Sequence, residues 1–180
     1  RYPGVRLRVS NHSTPQAIAA LRETTADFAV VTTPVPYAAS FQQTDIRTIH
    51  EVAVCAPVFQ ELLNHKVTLE ELRAYPLITL GADTQSHALY SGFFTANGLP
   101  FQPDIEAFTA DQILPMVEAG LGVGIVPRAF IRPSDDVRVI DLVTPLPPRR
   151  VCLVKRKDQP LSVAAGELEK MIIDSGESVM

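Results

Sequence analysis

The chain has 180 residues, of which 46% are hydrophobic, and no run approaches the roughly 18 apolar residues of a membrane span, so it reads as a globular chain able to bury a core. Its formal charge of −4 argues against this segment itself gripping nucleic acid, which needs clustered Lys and Arg to neutralise phosphates. The start, RYPGVRL, shows no charged and then apolar leader, which leads us to expect a cytoplasmic chain with no membrane partner.

Val5, Leu7 and Val9 alternate with Arg6, Arg8 and Ser10, the pattern of a half-buried strand. Ser13 or Thr14 then caps a helix with Pro15 at its first position and Ala17, Ile18 and Leu21 as its packing stripe. Phe28 to Val31 reads as a buried strand, so the three elements suggest a parallel strand, helix, strand unit whose first turn, Asn11 to Thr14, lies at a ligand-binding sheet edge. Ile46 to Pro57 is an extended segment. Thr68 with Glu71 forms a capping box on a short helix ending before Pro76, and Leu77 to Leu80 is a new buried strand.

That strand runs into a turn, Gly81 to His87, where Asp83 or Thr84 caps a helix bearing Leu89, Tyr90, Phe93 and Phe94 and stopped by Asn97 and Gly98. Such a turn presents hydroxyls and free N–H groups at a helix N-terminus. Ile105 to Phe108 is a brief strand. In the next stretch, TADQILPMVEAGLGVGIVP, Thr109 and Gln112 form a capping box, Pro115 should kink the helix or shift its start, and Gly120 can end it in the left-handed conformation. Gly120, Gly122 and Gly124 join a helix to a short strand of Val123, Ile125 and Val126 that Pro127 closes, whereas a phosphate-cradling loop needs strand before helix, so they read as a packing device.

Val137 to Leu142 and Val151 to Val154 are further strands, separated by the proline-stiffened TPLPPRR. The last helix, capped by Ser162, should turn Val163, Leu168, Met171 and Ile172 inward. Arg149 with Arg150, and Lys155 to Lys157, make a basic patch that reads as a solvated strand end. Cys55 and Cys152 lie in apolar runs and read as buried, reduced thiols; pairing would require their strands to lie side by side.

Four stretches in this order, RYPGVRLRV, the helix leading to TADFAVV, VTLEELRAYPLITL, and VEAGLGVGIVP with the later CLVKRKDQPLSVAAGELE, resemble the effector-binding domain of LysR-type bacterial transcriptional regulators. The resemblance implies an α/β fold of two Rossmann-like subdomains with mixed sheets, type-2 periplasmic-binding-protein-like, joined by two crossover segments, with a small-molecule site in the cleft between them. Subdomain I would comprise 1–75 plus 150–180, lacking the family's first strand and helix, and subdomain II 76–149. It further implies a homodimer or tetramer, with the helices Gln16–Leu21 and Leu89–Phe94 as candidate interfaces, and DNA binding only through an N-terminal winged helix-turn-helix absent from this chain. Thr24 stands where the family commonly has Gly, which puts the usual left-handed helix cap in doubt.

Carried over residue by residue, the effector contacts fall on Ser13 and Thr14, on Thr32 and Thr33, and on Thr84, Gln85 and Ser86. Hydroxyls and N–H groups at helix N-termini favour an anionic or carboxylate-bearing effector, although each Ser and Thr also has a plain role as helix cap or turn residue. Ser13, Ser86, His12, His87 and Asp83 show no GxSxG elbow and no ordered nucleophile and base, so no catalytic residue is expected; nor is a metal or cofactor. A type-2 periplasmic solute-binding protein for uptake is the alternative reading.

Overall fold

The computed structural model describes residues 2–35 and 39–177, and the chain divides into two compact units, Arg1–Thr48 with Arg150–Met180 and Ile49–Arg149. In chain order the elements are α1 (Thr14–Arg22), β1 (Phe28–Thr32), β2 (Phe41–Ile49), β3 (Glu51–Cys55), α2 (Leu69–Leu72), β4 (Leu77–Leu80) and α3 (Gln85–Ala96). There follow β5 (Ile105–Ala107), α4 (Ile113–Glu118), β6 (Val123–Pro127), β7 (Arg138–Ile140), β8 (Arg149–Arg156) and α5 (Val163–Glu177).

The Ile49–Arg149 unit is built on a mixed sheet of order β5-β4-β6-β3-β7. β4 runs parallel to β5 and β6, and β3 runs antiparallel to β6 and β7. Alternation along the strands feeds two cores. Leu77, Val123, Ile125 and Cys55 face one cluster with Tyr90 and Phe94 of α3; Ile78, Val126 and Val54 face the other with Ile113 and Val117 of α4. Helices thus cover both faces, and every residue of β6 is buried.

The turn between α4 and β6 shows why its glycines are there. Gly120, at φ +74, closes α4 in a Schellman motif: its N–H donates to Val117 O at 2.8 Å, and Leu121 N–H to Met116 O at 3.2 Å. A Cβ on Gly122 would lie 2.1 Å from Pro76 O, so only glycine lets β6 start against the entry to β4. Thr109 caps with Gln112, whose Oε1 accepts from Thr109 N–H at 3.2 Å, but what it opens is a 3-10 turn, Ala110–Gln112. Pro115 therefore falls in the first turn of α4, where a missing N–H costs no helical bond; it shifts the helix start rather than kinking it.

The other unit carries a three-stranded sheet, β1-β8-β2, with β1 antiparallel to β8 in the register Val31 to Cys152. Ile18 and Leu21 of α1 pack with Val31, Phe41 and Val154. α1 ends in a second Schellman motif, Thr24 N–H donating to Leu21 O and Thr25 N–H to Ala20 O, and Thr24 itself takes the left-handed conformation at φ 57. The left-handed cap is therefore retained on a β-branched residue.

Several expectations are corrected here. Residues 5–9 form no strand: Val5, Leu7 and Val9 are exposed, because alternation needs a neighbouring strand and none among the described residues pairs with them. Consequently the parallel strand, helix, strand unit does not form there, and β1 is only half-buried, with Val30 exposed. The extended segment is two strands, β2 and β3, broken at His50. The first junction between units lies at Thr48–Ile49 rather than near Tyr75, since β3 pairs entirely with strands of the second unit; the other junction falls between Arg149 and Arg150.

On α5, Val163 and Met171 are exposed, whereas Leu168, Ile172 and Ile173 are half-buried and Gly176 is buried. The packed face is set by Ile46, whose Cγ2 lies 2.2 Å from where a Gly176 Cβ would be. The stripes of α1 and α3 that suggested oligomer contacts, Ile18, Leu21, Tyr90 and Phe94, are spent on each unit's own core.

Candidate functional site

Because β4 and β5 are parallel neighbours, the turns leaving them share one sheet edge, joined by Gly81 N–H donating to Ala107 O at 3.3 Å. From that edge the chain enters α3. Thr84 is the N-cap, and its one hydroxyl proton is already used: it donates to Gly81 O at 2.8 Å, while the oxygen accepts from His87 N–H at 3.2 Å. What the turn offers a ligand is therefore the first-turn N–H groups of Gln85 and Ser86, which have no intrahelical acceptor, and the Ser86 side chain.

Ser86 is 8% exposed and accepts a hydrogen bond from Arg149 Nη1 at 2.9 Å. Arg149 Nε donates to Glu51 Oε1 at 2.7 Å, Nη2 donates to the same oxygen, and the guanidinium carbon lies 6.0 Å from the centre of the Tyr90 ring. Burial beside the Glu51 carboxylate pushes the Tyr90 phenol well above its ordinary range. Arg149, Glu51 and Tyr90 were not anticipated as site residues. Arg149 read as part of a solvated patch and is instead 5% exposed and ion-paired. A lone acid opening an apolar strand, HEVAVC, was the available signal, since a buried carboxylate needs a cation.

Three more residues of that patch are ion-paired: Arg150 with Asp45, Lys155 with Glu169 and Arg156 with Asp158. Arg149 and Arg150, adjacent on β8, thus anchor to carboxylates in different units.

In the other unit, Ser13 is the N-cap of α1, its N–H donating to Gln16 Oε1 at 3.0 Å, and Thr14 opens the helix. Thr32 ends β1 opposite Val151. Thr33 extends the ladder, donating from its N–H to Arg150 O at 2.9 Å and accepting on Oγ1 from Arg150 N–H at 3.0 Å. Of the expected residues, Ser13, Thr14, Thr32 and Thr33 thus belong to one unit and Thr84, Gln85 and Ser86 to the other.

Cys55 and Cys152 are free and buried, on strands of different sheets, so they do not lie side by side. Burial pushes the Cys55 thiol up to about 11 and, with help from Asp45, the Cys152 thiol up to about 12. His12 is exposed, and His87 packs edge-on to Phe101 with ring centres 5.1 Å apart. Among the described residues no group of three or more His, Cys, Asp or Glu is placed to hold a metal ion.

The model of the LysR substrate binding domain matches residues 1–176. The chain belongs to this family. Over its whole length this LysR domain is 26% identical to the HTH-type transcriptional regulator YfeR of Shigella flexneri and spans 58% of that protein. It therefore covers little more than half of that curated relative. Among solved structures it is similar to the regulatory domain of CcmR from Synechocystis PCC6803 in complex with 2-PG, at a TM-score of 0.85 and 11% identity over 99% of this chain and 86% of that one. The effector binding domain of QuiR in complex with shikimate gives a TM-score of 0.77 and 18% identity over 94% and 80%. The expected fold class, mixed α/β and periplasmic-binding-protein-like, is the one these LysR domains share with it.

Proposed function

We propose that this LysR domain senses a small oxyanion, a carboxylate or a phosphate, through the first turn of α3, with Ser13, Thr14, Thr32 and Thr33 as further candidate contacts. The observation that carries the reading is the donor set at α3: two N–H groups without intrahelical acceptors at the positive end of a 12-residue helix, beside the Ser86 hydroxyl. The ligands held by CcmR and QuiR support it, shikimate being a carboxylate. In the full-length protein, a cytoplasmic homodimer or tetramer, ligand-dependent populations of this domain alter how an N-terminal helix-turn-helix grips DNA. The ligand is bound and released without turnover.

A thermal-shift screen of small carboxylates and inorganic anions tests this. At least one compound raises the melting temperature in proportion to the logarithm of its concentration, and Ser86→Ala weakens that response. A response left intact by Ser86→Ala together with Ser13→Ala places the ligand elsewhere, and chemical conversion of the ligand contradicts a sensor.

A further inference from the structure

A serine hydroxyl carries one proton and two acceptor lone pairs, and a guanidinium has donors only. With Arg149 Nη1 donating to Ser86 Oγ at 2.9 Å, the Ser86 proton must point away from Arg149. Arg149 cannot easily swing off this bond. Its Nε and Nη2 are both held by Glu51 Oε1, and its guanidinium carbon lies 6.0 Å from the centre of the ring of Tyr90, which sits four residues from Ser86 on the same face of α3. Glu51, Arg149, Ser86 and Tyr90 are all at most 8% exposed, so little water competes for these bonds. The Glu51 carboxylate also offsets the arginine's charge, so the turn meets a ligand with oriented dipoles rather than a bare cation.

We propose that Arg149 is a positioning residue that fixes Ser86 as a hydrogen-bond donor at the N-terminal turn of α3, so that the turn selects ligand oxygens that accept hydrogen bonds. This rests on the oxyanion-sensing reading above. Arg149 acts through Ser86, and Glu51 acts through Arg149.

The test is a titration of the domain with inorganic phosphate, followed on the Ser86 amide by 1H–15N NMR, for wild type, Ser86→Ala, Arg149→Met, Arg149→Lys and the Ser86→Ala, Arg149→Met pair. Ser86→Ala and Arg149→Met each weaken binding about tenfold, the loss of one hydrogen bond to a charged group. Arg149→Lys, which still donates, recovers most of it, and Arg149→Met adds nothing once Ser86 is alanine. If Arg149→Met does not fold alone, the neutral pair Glu51→Leu with Arg149→Met takes its place with the same expectation. Losses that multiply across the two positions, or an Arg149→Met affinity equal to wild type, overturn the inference while leaving the sensing reading in place. A wild type that binds no phosphate and no carboxylate overturns both.

Discussion

Glu51 accepts two hydrogen bonds from Arg149 on a single oxygen, Oε1, while Oε2 is buried with no donor among the described residues. These residues stand 98 positions apart, near the two ends of the Ile49–Arg149 unit, so the pair closes that unit where the chain enters and leaves it. Truncating one member strands a buried charge. Arg149→Met is expected to cost ~3–5 kcal/mol in urea unfolding, and Glu51→Leu with Arg149→Met to recover much of that, because a well-packed apolar pair avoids the desolvation penalty. Equal stabilities for wild type and Arg149→Met would contradict this by showing that the pair contributes no net stability.

Thr24 holds a left-handed backbone at φ 57, which a β-branched residue adopts only at a cost. Thr24→Gly keeps both Schellman bonds and removes the clash, so it should stabilise the fold by ~1 kcal/mol and raise the melting temperature by about 2–4 °C. A melting temperature that falls would show that the threonine side chain contributes more than its backbone costs.

Gly122 has no room for a methyl group, with Pro76 O 2.1 Å from the Cβ position. Because the obstruction is backbone, Gly122→Ala must part β6 from the start of β4 and should cost more than ~3 kcal/mol. Gly92, where nothing lies within 4 Å, serves as the control: Gly92→Ala, inside α3, should stabilise by ~0.5–1 kcal/mol.

Both thiols titrate higher in the fold than their ordinary value of 9.0, Cys55 at about 11 and Cys152 at about 12. A raised folded value means that above pH 9 the unfolded chain has released protons the folded chain still holds. Stability contributed by these thiols is thus complete below pH 9 and falls as the pH rises through 11 to 12. Urea unfolding at pH 8 and pH 10 should show the loss, and Cys55→Ala should flatten it. At pH 8 a thiol-specific reagent should label neither cysteine until the domain unfolds.

What the sequence makes legible is what neighbours in the chain decide. Thr84 as a cap, β4, the capping box at Thr109 and the glycine turn before β6 each depend on residues within a few positions, and each is found where it was read. Arg149 depends on Glu51 and Ser86, 98 and 63 residues away, and so looked like part of a surface patch. The start of β2 was missed because Phe41 and Ile49 are its only buried residues, which leaves no alternation to read. The reverse error at Val5, Leu7 and Val9 has the same root: alternation says which face would be buried, not whether a strand lies alongside.

The most direct test of the sensing account is an NMR titration of the domain with inorganic phosphate and a panel of small carboxylates, shikimate among them. The account expects saturable shifts of the Gln85 and Ser86 amides, with smaller shifts at Ser13, Thr14, Thr32 and Thr33. Saturable shifts confined to other residues, or none with any of these anions, would contradict it.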